Sequence, residues 1–84
     1  MKKFAKLFET EEDGQIVVIK CDGEDGEPSI EFKAQPNNMG VCTTRISFKD
    51  TDAGWDAQDK AFEAVTETEA KAGVADIFKF SEGL

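Results

Sequence analysis

Residues 29–34 and 41–49 constrain the fold more than any other part of the chain. In the first stretch Ile30, Phe32 and Ala34 alternate with Glu31 and Lys33. In the second, Cys42, Thr44, Ile46 and Phe48 alternate with Thr43, Arg45, Ser47 and Lys49. A period of two places alternate side chains on opposite faces of a strand. Gln35-Pro36-Asn37-Asn38-Met39-Gly40 between them is a turn signal, so the two stretches read as an antiparallel hairpin. Keeping Phe32 and Ile46 on one face allows Phe32 opposite Thr44 and Ile30 opposite Ile46. Glu31 then falls opposite Arg45, a favourable cross-strand pair. A slip by one residue would turn the apolar set to the wrong face.

Two more strands are expected before this hairpin. Gln15–Cys21 is apolar on both faces through Ile16, Val17, Val18 and Ile19, as a central strand should be. Residues 3–9 fit helical spacing through Phe4, Leu7 and Phe8 and also fit a strand. The Glu11-Glu12-Asp13-Gly14 turn that leads straight into the next strand favours the latter. Asp22-Gly23-Glu24-Asp25-Gly26-Glu27-Pro28 reads as a loop.

The stretch 50–72 reads as one long helix. Trp55, Phe62 and Val65 share one side, with Ala61 and Ala72 at its margin. Asp56, Asp59, Glu63 and Glu67 follow spacings of three, four and four and form a row on the other side. Thr51 or Asp52 suits the N-cap, while Lys71 and Gly73 suit the C-terminal end. Ala75–Phe80, with Ile77, Phe78 and Phe80, reads as a last short strand. The expectation is therefore an α+β fold of order β-β-β-β-α-β. An antiparallel sheet of four to five strands is packed on one face by a single amphipathic helix. Eighty-four residues leave room for one domain, residues 1–84.

Charge narrows the range of partners. Eighteen Asp and Glu against ten Lys and Arg give a net charge of −8. Such a surface disfavours DNA, RNA and anionic membranes and suits a basic protein partner. It also simply keeps a protein soluble. In a meander, the 22–28 loop and the helix N-terminus meet at one end of the sheet. That end gathers Asp22, Glu24, Asp25, Glu27, Asp50 and Asp52.

Equipment for catalysis is sparse. The chain has no histidine, so neither a Ser-His nor a Cys-His pair can form. The carboxylates concentrate in turns and on the outer helix side, not in the buried pairs that acid–base chemistry needs. Cys21 and Cys42 form no C-x-x-C motif and read as small apolar residues of a reduced protein. A disulfide would require their strands to be adjacent and in register. The 22–27 loop departs from the calcium-binding EF-hand: Gly26 falls at the fifth position and Lys33 stands where a Glu is needed at the twelfth. It reads as a solvated hairpin turn, so no metal and no cofactor are expected. The basic opening meets Glu9 and Glu11 before an apolar signal segment develops, and no stretch reaches transmembrane length. A cytoplasmic location, in a cell or an infected host, is expected.

These features point to a non-enzymatic binding protein whose negative surface engages a basic site on another protein, one form of which is a DNA mimic. Asp56, Asp59, Glu63 and Glu67 would carry the contact, with Glu24, Asp25 and Glu27 assisting. The alternative is a structural or assembly protein, of viral type, that self-associates through the sheet into a homodimer or larger assembly. One helix covers one face, which leaves Val17 and Ile19 of the doubly apolar strand for a second copy. In size, acidity and lack of catalytic residues the chain is similar to small phage- or mobile-element-encoded proteins that inhibit host nucleic-acid enzymes. That likeness is one of composition and involves no motif.

Overall fold

Each strand pairs with the one before it, so the sheet order is the chain order: β1 (Ala5–Thr10), β2 (Gly14–Asp22), β3 (Pro28–Ala34) and β4 (Cys42–Ser47), all antiparallel. The structure is a computed structural model that describes residues 4–11, 14–23, 25–35 and 40–82, with side chains through Asp76. The β3–β4 register is the expected one, with Ile30 opposite Ile46, Glu31 opposite Arg45 and Phe32 opposite Thr44. Within the β2–β3 turn, Gly26 sits at φ 81°, the left-handed region that a side chain disfavours. Its N–H donates to the Gly23 carbonyl at 3.0 Å, which closes the turn.

The period of two sorts the central strands, while Ile46 of the edge strand β4, on the same side, stays 47% exposed. Ile16 and Val18 from β2, with Ile30, Phe32 and Ala34 from β3, are each 4% exposed or less and form the sheet's half of the core. Phe62, Ala70 and Val74 supply the other half, each fully buried, and Phe8, Phe48, Ala61 and Val65 pack at its margin. Burying a large apolar side chain contributes about 1.5–3 kcal/mol, so this one cluster supplies most of the drive to fold.

Two expectations fail together. The stretch read as one helix is two, α1 (Asp52–Ala64) and α2 (Glu67–Glu82), and the strand expected at 75–80 is the later part of α2. The sheet therefore has four strands, and two helices cover it rather than one. Val65 breaks the helix with extended dihedrals, φ −65° and ψ 121°. Thr66 then begins a new one: its N–H donates to Glu69 Oε2 at 3.1 Å, and its hydroxyl bonds to the same oxygen. Thr66-x-x-Glu69 is the capping-box spacing, a start signal inside what had read as continuous helix.

Gly73 does not cap a C-terminus but lies in the middle of α2. A Cβ there would stand 2.7 Å from the Phe32 ring, so the missing side chain lets the helix pass close over the sheet. Ala70 and Val74, four residues apart, keep the helical stripe facing the core past the point where a stop was expected. Thr51 is the α1 N-cap, its hydroxyl accepting the Gly54 N–H at 3.1 Å. Trp55 lies outside the core, half-buried, with its indole N–H on Asp50 Oδ1 at 3.0 Å. Ala72 is exposed. Gln58 takes the place expected of an apolar residue. It is 3% exposed, and its Nε2 donates to the carbonyls of Cys21 and Ser29, each at 2.9 Å.

Candidate functional site

The helical layer carries most of the excess negative charge. Residues 50–76 contain eight acids against Lys60 and Lys71, a net −6 of the chain's −8. All eight acids are exposed except Asp59, which is half-buried. The expected straight row of Asp56, Asp59, Glu63 and Glu67 is divided by the break at Val65, because Glu67 lies in the first turn of α2. The members also differ in their neighbours. Asp56 pairs with Lys60 one turn on, at 2.9 Å, which raises the Lys60 pKa. Asp59 turns toward the sheet and accepts from Lys20 Nζ at 2.7 Å. Glu63 and Glu67 are exposed.

Two lysines of the sheet hold this layer in place, and neither stood out in the sequence. Lys6 Nζ donates to the carbonyls of Phe62, Glu63 and Val65 at 2.6, 3.1 and 3.2 Å. It thereby supplies the positive charge that the last turn of α1 lacks. Lys6 Nζ and Lys20 Nζ also stand 4.9 and 5.3 Å from the centre of the Phe62 ring. The signal was present in the alternation: Lys6 shares the inward face of β1 with Phe8, and Lys20 shares that of β2 with Ile16 and Val18. A lysine inside an apolar set marks a polar acceptor in the opposing layer, here a helix C-terminus and an aspartate.

The acidic turn lies at the same end of the sheet as the α1 N-terminus, as expected. Gln58 of α1 reaches both strands flanking the turn, and the Phe48 N–H donates to the Pro28 carbonyl at 2.8 Å. Asp25 is exposed, and its backbone N–H donates to Glu27 Oε2 at 2.9 Å, so Glu27 is partly occupied with its own turn. Glu24 lies outside the described residues. Among the described residues no group of three or more metal-ligating side chains gathers.

The opposite face of the sheet is different in kind. Both helices contribute their buried residues to the Ile16–Val18–Ile30–Phe32–Ala34 side. Leu7, Val17, Ile19, Cys21, Glu31, Lys33 and Arg45 project from the other side by strand parity. Leu7 is 56% exposed there, and Val17 and Ile19 are half-buried among their neighbours. Gln15, Val17, Lys33, Gln35 and Val41 line a shallow depression of about 340 Å³ at one end. Arg45 Nη2 holds Glu31 Oε2 at 2.7 Å, and this contact, with Lys33 adding to it, keeps the Glu31 carboxyl below the usual carboxylate range. Burial and the adjacent Glu31 carboxylate push the Cys21 thiol up, the reverse of what a nucleophilic cysteine needs. Cys21 and Cys42 are free thiols, on strands that β3 separates.

Neither face offers an activated nucleophile or an acid–base pair among the described residues. What the arrangement offers is two surfaces of unlike chemistry. No helix among the described residues is long and apolar enough to cross a membrane. No protein-family model matches the chain, and neither a curated protein nor a solved structure is significantly similar to it.

Proposed function

We propose that the protein is a non-enzymatic, cytoplasmic binding module whose acidic helical layer docks on a basic surface of another protein. The observation that carries this reading is the segregation of charge: residues 50–76 hold eight acids against two lysines. Asp56, Glu63 and Glu67 belong to the exposed part of that layer, with Asp59 beside them on its lysine. Asp25 and Glu27 extend the negative surface at the α1 N-terminal end. A protein that normally grips phosphates is one partner of suitable chemistry, since spaced carboxylates can occupy a cationic groove. The free thiols of Cys21 and Cys42 fit a reducing compartment.

The test is affinity capture from a cell lysate with the wild-type chain and with the triple variant Asp56→Lys, Glu63→Lys, Glu67→Lys. The expected result is a basic protein captured by the wild type, lost as salt rises and lost in the variant at low salt. A partner held equally well by the triple variant would remove the helical layer from the binding surface.

A further inference from the structure

The outer face of the sheet bears apolar side chains that no described element covers, and its charges are balanced. Leu7, Val17 and Ile19 form an apolar band across β1 and β2. The ionised groups of the four strands on that face are Glu9 and Glu31 against Lys33 and Arg45, two of each sign, in a chain of net −8. A strongly acidic or basic partner gains little from a neutral patch. A surface with the same mixture, in reverse order, gains both the apolar contact and the ion pairs.

We infer that this face pairs with the same face of a second copy of the chain, independently of the acidic helical layer. The register identifies the symmetry axis. Lys6, Val18, Phe32 and Thr44 lie on one rung of the sheet. A two-fold axis running across the strands at that rung lays each strand antiparallel on its own counterpart. Val17 then meets Ile19 of the second copy, Leu7 meets its Ala5, and Glu31 meets its Lys33. An axis running along the strands would instead set β1 over β4 and β2 over β3, placing Leu7 on Thr43, Val17 on Lys33 and Ile19 on Glu31 and leaving the apolar band without a match. The across-strand axis is the one that sets apolar groups on apolar groups and Glu31 on Lys33. It also directs the two acidic helical layers away from each other, with both sheets between them.

Four strands about 4.8 Å apart and about six residues long cover roughly 20 by 20 Å. That is small for an interface, so the dimer is weak and concentration-dependent. Sedimentation equilibrium of the whole chain at up to about 1 mM, a range set by that weakness, should show the mass rising toward twice 9.2 kDa. A mass that stays at 9.2 kDa throughout overturns the inference. Leu7→Lys should weaken the association about tenfold, as replacing an apolar contact by a charge does. Because Leu7 is 56% exposed in the single chain, circular dichroism should be unchanged. An association that Leu7→Lys leaves intact places it elsewhere. Lys33→Glu and Glu31→Lys should each self-associate less than the wild type, and mixing the two should restore a dimer, since each then offers the other its missing charge. A mixture no stronger than either variant alone rules out the Glu31–Lys33 pairing.

Discussion

The helical layer and the outer face of the sheet dispose of charge in opposite ways. In the helical layer acids outnumber bases eight to two over residues 50–76. The cations that steady it come from the sheet: Lys6 on the last carbonyls of α1, and Lys20 on Asp59. On the outer face, acids and bases are equal and neutralise one another within the sheet, through Glu31, Lys33 and Arg45. A layer whose stabilising cations approach from beneath keeps its outward field negative. A face whose ion pairs lie in its own plane loses its field and leaves its apolar groups as the dominant feature. One chain thus carries one surface that acts at a distance and one that acts on contact.

The attachment of the helical layer is where the largest effects are expected. Phe62 is fully buried between the sheet and two lysines. Phe62→Ala should cost about 3–5 kcal/mol in urea denaturation, nearly the whole stability of a domain this size. A loss under about 1 kcal/mol would mean that α1 is not seated as described. Gln58→Leu keeps the volume but removes the donor to two buried carbonyls. It should cost about 2 kcal/mol by the same measurement, against near neutrality if those carbonyls find other donors. Gly73→Ala gains about 1 kcal/mol of helix propensity. It also forces the Phe32 ring aside, since the added Cβ would stand 2.7 Å from it. Overpacking costs about 1–3 kcal/mol, so the net expectation is a loss of about 1 kcal/mol. A gain in stability would show that the ring has room to move.

The outer face should respond to pH, and by less. Arg45 holds the Glu31 pKa below its unfolded value. The pair's stabilisation is therefore fully present above about pH 4.3 and is lost as pH falls through the lower, folded value. Arg45→Met should cost a few tenths of a kcal/mol at pH 7, the size of a cross-strand ion pair. That gap should narrow in acid, as the pH falls through the lowered pKa of Glu31. A gap that widens in acid would show that Arg45 acts on some other group.

The sheet was legible in the sequence because its signals are local and repetitive. The alternation at 29–34 and 42–47 yields the register rung by rung, and the doubly apolar run Ile16–Ile19 marks the central β2. The helical part was legible only in composition. Thr66-x-x-Glu69 is a start signal, but it lay inside a run that already satisfied helical spacing on both sides. Gly73 resembles a stop, and its actual role depends on the distance between two layers, which periodicity does not contain. The roles of Gln58, Lys6 and Lys20 are not legible for the same reason, because each is a polar side chain whose partner is a backbone carbonyl or carboxylate distant in sequence. The acidic row was visible as residues but not as a surface, since one member turned to the sheet and another fell beyond a helix break.

The division of the molecule into two separate surfaces is tested most directly by amide chemical shifts in a dilution series from about 1 mM, repeated at low and high salt. The expected dilution shifts are confined to the outer strands and centre of the sheet, at Leu7, Val17, Ile19 and Lys33, and they persist or grow as salt rises. The amides of α1 and the start of α2 should stay still on dilution and move only when a basic partner is added. Dilution shifts centred on Asp56, Glu63 and Glu67, or no dilution shifts at all, would contradict the account.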